Sequence, residues 1–407
     1  MKNYAKVVAL LGLSAVTLSA SGYRIPEQSL NSTALSAAYV AGANGADASY
    51  FNPANMVWNN DASEMELALT YIGLSKVKYT DVSGFTNESK GEKFYVPTFH
   101  YVSPAVGNWR FGLSMVAPAG LSKRWDDAYA KSTSKEFTLS VIELNPTVAY
   151  KVSDKFAIGF GLRGVYSEGI IKSDAGGNLT RDMEADSIDY GYNLAMSFKP
   201  MENLTFATTY RSKVDLTVEG NAKLHYVAQP DYDGDASLTV PLPASLTLAT
   251  AYTMNKTTVE FVYERTYWSS YKELDFKYPS PLTGVLKLKY DDPKAKDWKD
   301  VNAYRIGVTH QYSDKLKLMA GFAIDKSPAP ESTLGFELPD SDAKLYSFGL
   351  EYALNKNMKI GLSYLYDDKE SRTVLNPTAN AGTNPVPNGT FTNSSAQLIT
   401  ASFKYKF

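Results

Sequence analysis

Three histidines, His100, His225 and His310, are the only imidazoles in this chain of 407 residues, and cysteine is absent. Covalent catalysis needs a nucleophile held beside an oriented base, and zinc-type sites need His or Cys at short, regular spacings. Imidazoles scattered this widely offer neither, so the expectation is no catalytic residue, no metal site and no cofactor, with each His structural. A net charge of -2 leaves no basic excess for a nucleic-acid partner. What the composition does favour is apolar chemistry. Twenty-nine Tyr and 18 Phe raise the aromatic share to 13%, while mean hydropathy is only -0.26. Amphipathic rings in that number suit a β-rich protein at a membrane–water boundary.

The elements that would position such rings have a period of two. In "KLKLMAGFAID", Leu316, Leu318, Ala320, Phe322 and Ile324 share one face, and Lys315, Lys317, Met319, Gly321 and Asp325 share the other. In "KFAIGFGLRGVY", Phe156, Ile158, Phe160, Leu162 and Tyr166 alternate with Ala157, Gly159, Gly161 and Arg163. These are half-buried strands. Fourteen are expected, near 63-74, 93-103, 108-118, 134-151, 155-171, 187-200, 203-219, 236-253, 256-276, 297-313, 315-328, 343-355, 357-374 and 391-407. Tight turns such as "VSDK", "TMNK" and "LNKN" alternate with long polar loops at 75-92, 119-133, 172-186, 220-235, 277-296, 329-342 and 375-390. An even strand number with short turns at one end and long loops at the other describes an outer-membrane β-barrel, residues 61-407. A secreted β-sandwich would not alternate its turns so strictly. Lys2 and Lys6 precede an apolar run, Val7 to Leu18, and small residues. That is a secretory signal peptide over 1-20, too short to span a bilayer, with cleavage after Ala20 or Ser21.

Residues 21-60 stand outside the strand pattern. They hold a dense small-residue run and then "GADASYFNPANMVW", in which Pro53 fixes φ and pushes Asn52 toward an extended shape. A disordered tail should be charged and poor in aromatics. This segment carries few charges together with Tyr23, Tyr39, Tyr50, Phe51 and Trp58. The expectation is a hatch inside the barrel lumen, with Asn52-Pro53-Ala54 folding the chain back against the wall.

Several stretches carry a family resemblance. "SGYRIPEQSLNSTALSAAYVAGANGADASYFNPA", with Asn52-Pro53-Ala54, is similar to the mature N-terminus of the FadL/TodX-type outer-membrane transporters of long-chain fatty acids and other hydrophobic compounds. "TYRSKVDLTVEG", "WKDVNAYRIGV" and "GFAIDKSPAPE" followed by "LPDSD" resemble later strands and loops of that family. The resemblance implies a monomeric, all-β, 14-stranded antiparallel transmembrane barrel with the N-terminal hatch in its lumen. It also implies passive transport of a hydrophobic small molecule, a pocket that meets the extreme N-terminus, and sideways exit to the outer-membrane lipids at the third strand.

Such a route makes physical sense. Each methylene gains about 0.8 kcal/mol on leaving water, so a carrier needs successive apolar pockets and a dry exit. For the exit, "SMVAPAGLS" stands out, since proline is confined to strand edges and bulges, which singles out Pro118 and Gly120. The alternative is that Pro118 simply ends its strand. Tyr23 and Ile25 are candidates for the pocket. In loop 119-133, Leu121, Trp125 and Tyr129 are expected on one face of a ligand-collecting helix, beside a short polar partner loop at 172-186. Lys299, at a position matched to the family's pocket, and the nearby Arg305 are candidate cations for a carboxylate. Glu168 stands where family members carry a basic residue, which puts carboxylate recognition in doubt. A general diffusion porin with a partial plug, or a surface adhesin or receptor, is the alternative function.

Overall fold

A computed structural model describes residues 22–59, 61–375 and 387–407, so the expected signal peptide and its cleavage point lie outside the described residues. Fourteen strands form one antiparallel wall. They are β1 (Glu64–Leu74), β2 (Glu92–Val102), β3 (Trp109–Val116 and Gly120–Arg124), β4 (Glu136–Lys151), β5 (Phe156–Asp174), β6 (Leu179–Met201) and β7 (Leu204–Arg211 and Val214–Tyr226). Then come β8 (Gln229–Leu242 and Ser245–Met254), β9 (Thr257–Thr266), β10 (Val301–Gln311), β11 (Leu316–Asp325), β12 (Ala343–Ala353), β13 (Met358–Lys369) and β14 (Ser395–Lys406). Glu64 of β1 faces Val102 of β2 on one side and Lys406 of β14 on the other, which closes the cylinder. Closure satisfies the backbone groups that a hydrocarbon surround cannot.

The alternation read from sequence sets the facing. On β11, Leu318 and Ile324 are exposed while Met319 and Ala323 are buried. Phe322 points outward and meets Tyr346 of β12 with ring centroids 5.3 Å apart. On β5, Ile158, Phe160 and Leu162 point out, and Ala157 and Arg163 point in.

Two loops depart from expectation. Residues 172-186 and 220-235 are not open loops: β5 and β6 run on as a ladder to Asp174 opposite Thr180, and β7 and β8 to Tyr226 opposite Gln229. Their Asp, Gly and Asn content argues against strand on local propensity, but inter-strand pairing overrides it. Strands β7 and β8, expected as single runs, are interrupted at 212–213 and 243–244, and β3, expected to end at 118, stops at Val116 and resumes as Gly120–Arg124 inside the expected loop 119-133.

The hatch fills the lumen at the short-turn end. Ser29 caps helix α1 (Leu30–Ala34) in a reciprocal box with Ser32. The stretch around Pro53 is more helical than its sequence suggests: α2 (Ala48–Phe51) leads into a 3₁₀ turn, Pro53–Trp58, with Pro53 at its first position. Asn52 between them is extended, with φ -157°. Its Nδ2 donates to Val40 O at 3.0 Å and to Ser197 Oγ of β6 at 2.8 Å, tying hatch to wall. The wall gives way to the hatch with glycine. A Cβ on Gly321 would lie 2.1 Å from the Leu35 backbone carbon, and one on Gly159 2.6 Å from Ala54 N.

Candidate functional site

Above the hatch, at the long-loop end, the wall and two loops line an apolar cavity. Leu121 of β3, Leu139 of β4, Ile171 of β5, Met183 of β6, Leu216 of β7 and Leu238 of β8 face it. The loop after β9 contributes Tyr271, Phe276, Lys296 and Trp298, and the loop after β11 contributes Leu334 and Glu337. An apolar cleft with few polar groups is the usual form of a small-molecule site. Among the described residues its only ionic side chains, Lys296 and Glu337, are ion-paired with each other. Burial opposes the Glu337 charge, but the Lys296 ammonium beside it holds its carboxyl below the usual carboxylate range. Burial also pushes the Tyr271 phenol far above its ordinary pKa, so it presents a neutral O–H.

The first hatch residues form the cavity's floor. Gly22 has φ 68°, and a Cβ there would meet Trp268 and Trp298 ring carbons at 2.6 Å, so only glycine lets the chain pass. The Tyr23 ring then sits edge-on to Trp268, centroids 4.7 Å apart, and 5.8 Å from Trp298. Its hydroxyl donates to Pro241 O of β8 at 2.5 Å.

The same residues occupy a break in the wall. β2 pairs with β3 only through Phe99–Val102. Beyond that the two strands part, and β3 itself stops at Val116 and resumes at Gly120. They meet again where Ser89 bridges Trp125 and Lys90 N donates to Arg124 O at 2.9 Å. The hatch supplies the missing partners. Ile25 N donates to Pro118 O at 2.8 Å, and Gly120 N donates to Tyr23 O at 2.9 Å. The Gln28 amide both donates to Ala117 O and accepts from Ala117 N, each at 2.8 Å. His100 of β2, placed between Gln28 O at 2.8 Å and Ser114 Oγ at 3.1 Å, holds that amide's own backbone. Pro118 therefore interrupts its strand rather than ending it.

The candidate residues separate into those at the cavity and those away from it. Tyr23 and Leu121 line it. Ile25 lies on the other side of the β3 break, in an apolar cluster with Phe94, Val96 and Ala117. The expected helical face of Leu121, Trp125 and Tyr129 does not form, because Gly120–Arg124 pairs with β4 as strand and only Tyr129 lies on helix α3 (Ala128–Ser134). Trp125 and Tyr129 instead pack against Phe336 in an aromatic cover with Tyr79, whose phenol burial pushes up to about 12. The hairpin that replaces loop 172-186 holds α3 through Lys131, 3.4 Å from Asp174. Lys299 is exposed, out of phase with the buried Lys296 and Trp298. Arg305 is buried away from the cavity, 3.1 Å from Asp325 and 3.6 Å from Glu264. Glu168 lies on the outward face of β5, between the buried Ser167 and the partly buried Gly169, so it does not stand in the lumen. Sequence reasoning passed over Trp298, Tyr271 and Lys296. The signal was present as "YWSSY" and "KDWKD", aromatic residues clustered in a polar loop.

His225 meets Asp231 at 2.7 Å on the exposed β7–β8 hairpin, and His310 meets Thr257 at 2.9 Å between β10 and β9. Among the described residues no group of His, Cys, Asp and Glu could hold a metal ion.

Comparison with known proteins agrees with this geometry. A family model described as outer membrane protein transport protein (OMPP1/FadL/TodX) matches residues 11–407. A long-chain fatty acid transport protein of Salmonella typhi is 25% identical over 320 residues, 67% of this chain and 70% of that protein. Among solved structures, a Pseudomonas aeruginosa FadL homologue superposes with a TM-score of 0.81 at 18% identity, covering 95% of this chain and 99% of the other. The Ralstonia pickettii toluene transporter TbuX gives 0.71 at 18% identity, with 93% and 98% covered.

Proposed function

From a chain that belongs to the OMPP1/FadL/TodX family of outer-membrane transport proteins, we propose a passive carrier that moves hydrophobic small molecules through the apolar cavity and releases them sideways at the β3 break. One observation carries this reading. Tyr23 forms part of the cavity while the backbone of Tyr23 and Ile25 and the side-chain amide of Gln28 supply the hydrogen bonds that fill the break. A ligand that displaces the Tyr23 ring therefore loosens the residues that close the exit. Lining the exit, Ile25, Phe94, Val96 and Ala117 offer a dry surface toward the bilayer. Relatives carry names for fatty-acid and toluene transport, and uptake of labelled oleate and labelled toluene, with and without the protein, tests both classes. No uptake of either overturns the proposal.

Lys296 bears on which class binds. Its ammonium is already neutralised by Glu337, so the cavity favours an uncharged ligand over a carboxylate. Glu337→Gln frees that cation. A charge-assisted hydrogen bond adds about 1.5–3 kcal/mol, so oleate binding should tighten roughly 10-fold or more, with toluene unchanged. Titration calorimetry of the detergent-solubilised variant checks this, and equal oleate affinity would place the carboxylate elsewhere. Because the Glu337 carboxyl titrates below its ordinary value, the pair should hold from neutral pH down past the usual carboxylate range and fail only in stronger acid.

A further inference from the structure

The wall carries a second break. β6 pairs with β7 from Met201 opposite Leu204 to Asn193 opposite Arg211, and again from Asp186 opposite Glu219 to Leu179 opposite Tyr226. Between those stretches Ser187–Tyr192 face Ser212–Val218, with one residue more on β7, and in-register pairing lapses. β7 keeps its register with β8 throughout: Arg211 opposes Ser245 and Val214 opposes Leu242. Towards β8 only the short interruptions at 212–213 and 243–244 break the ladder, and the register carries across them.

This is a built feature. In hydrocarbon every backbone group needs a partner; here one backbone bond survives, Ser212 N donating to Tyr192 O at 2.9 Å, and side chains supply others. Ser212 O accepts from Arg163 Nη1 at 2.6 Å, Tyr192 N donates to Ser212 Oγ at 2.9 Å, and Thr217 N donates to Asp189 Oδ2 at 3.3 Å. Ser187 Oγ donates to the same Asp189 oxygen at 2.6 Å. Outside, Tyr190 and Ile188 are 78% and 64% exposed, against 45% for Leu194 where the ladder is intact, because β5 flanks them on one side and β7 does not pair with them on the other. Inside, Ala185, Leu216 and Val218 at the break all line the apolar cavity.

Its position matches the first break. The β3 interruption faces Val141 and Ile142 of β4, which lie opposite Ser167 and Tyr166 of β5, which lie opposite Ser187 and Ile188 of β6. Both breaks therefore fall on one row, at either edge of the β4–β5–β6 panel. They differ in what closes them. The hatch fills the first, with its backbone and the Gln28 side chain, while wall residues fill the second, with Val214 lying over Gly191.

Taking the carrier reading above as its basis, we propose that the β6–β7 break is a second lateral opening, through which uncharged apolar molecules pass between the cavity and the bilayer without hatch movement. The Asp189 carboxylate at its mouth turns anions away, leaving fatty acids to the β3 route. An ideal Cβ on Gly191 lies 2.7 Å from Val214 Cγ2, which places the two β-carbons within disulfide reach. The chain has no native cysteine, so the double variant Gly191→Cys/Val214→Cys can be compared oxidised and reduced in one preparation. Cells carrying the oxidised form should take up labelled toluene several-fold more slowly than the reduced form, recover on reduction, and take up labelled oleate equally in both states. Should that variant fail to assemble, Asp189→Asn is read instead: labelled oleate uptake should rise with toluene uptake unchanged, and unchanged oleate uptake overturns the proposal. Toluene uptake indifferent to oxidation overturns the proposal, as does equal loss of both probes. If the unmodified chain moves neither probe, the carrier reading itself fails and this opening falls with it.

Discussion

A mature chain without residues 22–28 should still assemble as a heat-modifiable barrel, yet bind neither toluene nor oleate measurably. The wall does not depend on that segment, since β1 pairs with both neighbours from Glu64 onward. The cavity does. The deletion removes the Tyr23 ring from the Trp268–Tyr271–Trp298 cluster. Burying a ring-sized apolar group is worth about 1.5–3 kcal/mol, so affinity should fall at least about tenfold from the lost floor alone. It also strips the backbone at Ala117, Pro118 and Gly120 of its partners, opening the β3 break permanently. Fluorescence displacement on the purified variant reads the first effect, and unchanged affinity would remove the N-terminus from the site.

Glu260→Leu should turn a silent barrel into an ion-leaking one. The Glu260 carboxylate on β9 accepts from Val40 N and Ala41 N at 2.6 Å and from Gly42 N at 3.0 Å. Three hatch amides thus converge on one wall side chain. Leucine keeps much of the volume and accepts nothing, and each buried N–H left without an acceptor costs about 1–3 kcal/mol. A polar vestibule lined by Asn44, Thr309 and Gln311 adjoins the site, so water offsets part of that cost and the lower end applies. The barrel's melting should shift little while conductance in planar bilayers rises. A variant as silent as its parent would mean the hatch is held by its other contacts, Asn52 on Ser197 and Thr33 on Thr400 among them.

These effects separate what the sequence made legible from what it hid. Strand number, turn alternation and facing were readable because the period of two is imposed by the bilayer on one side and the hatch on the other. Met319 and Ala323 fall on the inward face for that reason. Pro118 was readable too, since proline cannot donate to a ladder. The hairpins at 172-186 and 220-235 were not, because their strands are held by partners rather than by local propensity. Nor was the β6–β7 break, which contains no proline and arises from one extra residue between two registers. The cation candidates failed for a related reason. Lys299 and Arg305 were placed by family match and closeness in sequence; in the irregular backbone before β10 a single residue turns a side chain about, so Lys296 rather than Lys299 faces the cavity, while Arg305 points inward from β10 into ion pairs with Asp325 and Glu264.

The central claim is that apolar molecules cross while water-borne ions do not. Reconstituted, unmodified protein should carry labelled toluene into lipid vesicles while the same preparation passes no steady ohmic current across a planar bilayer. A steady ohmic current through the unmodified barrel would contradict it and identify an open aqueous pore.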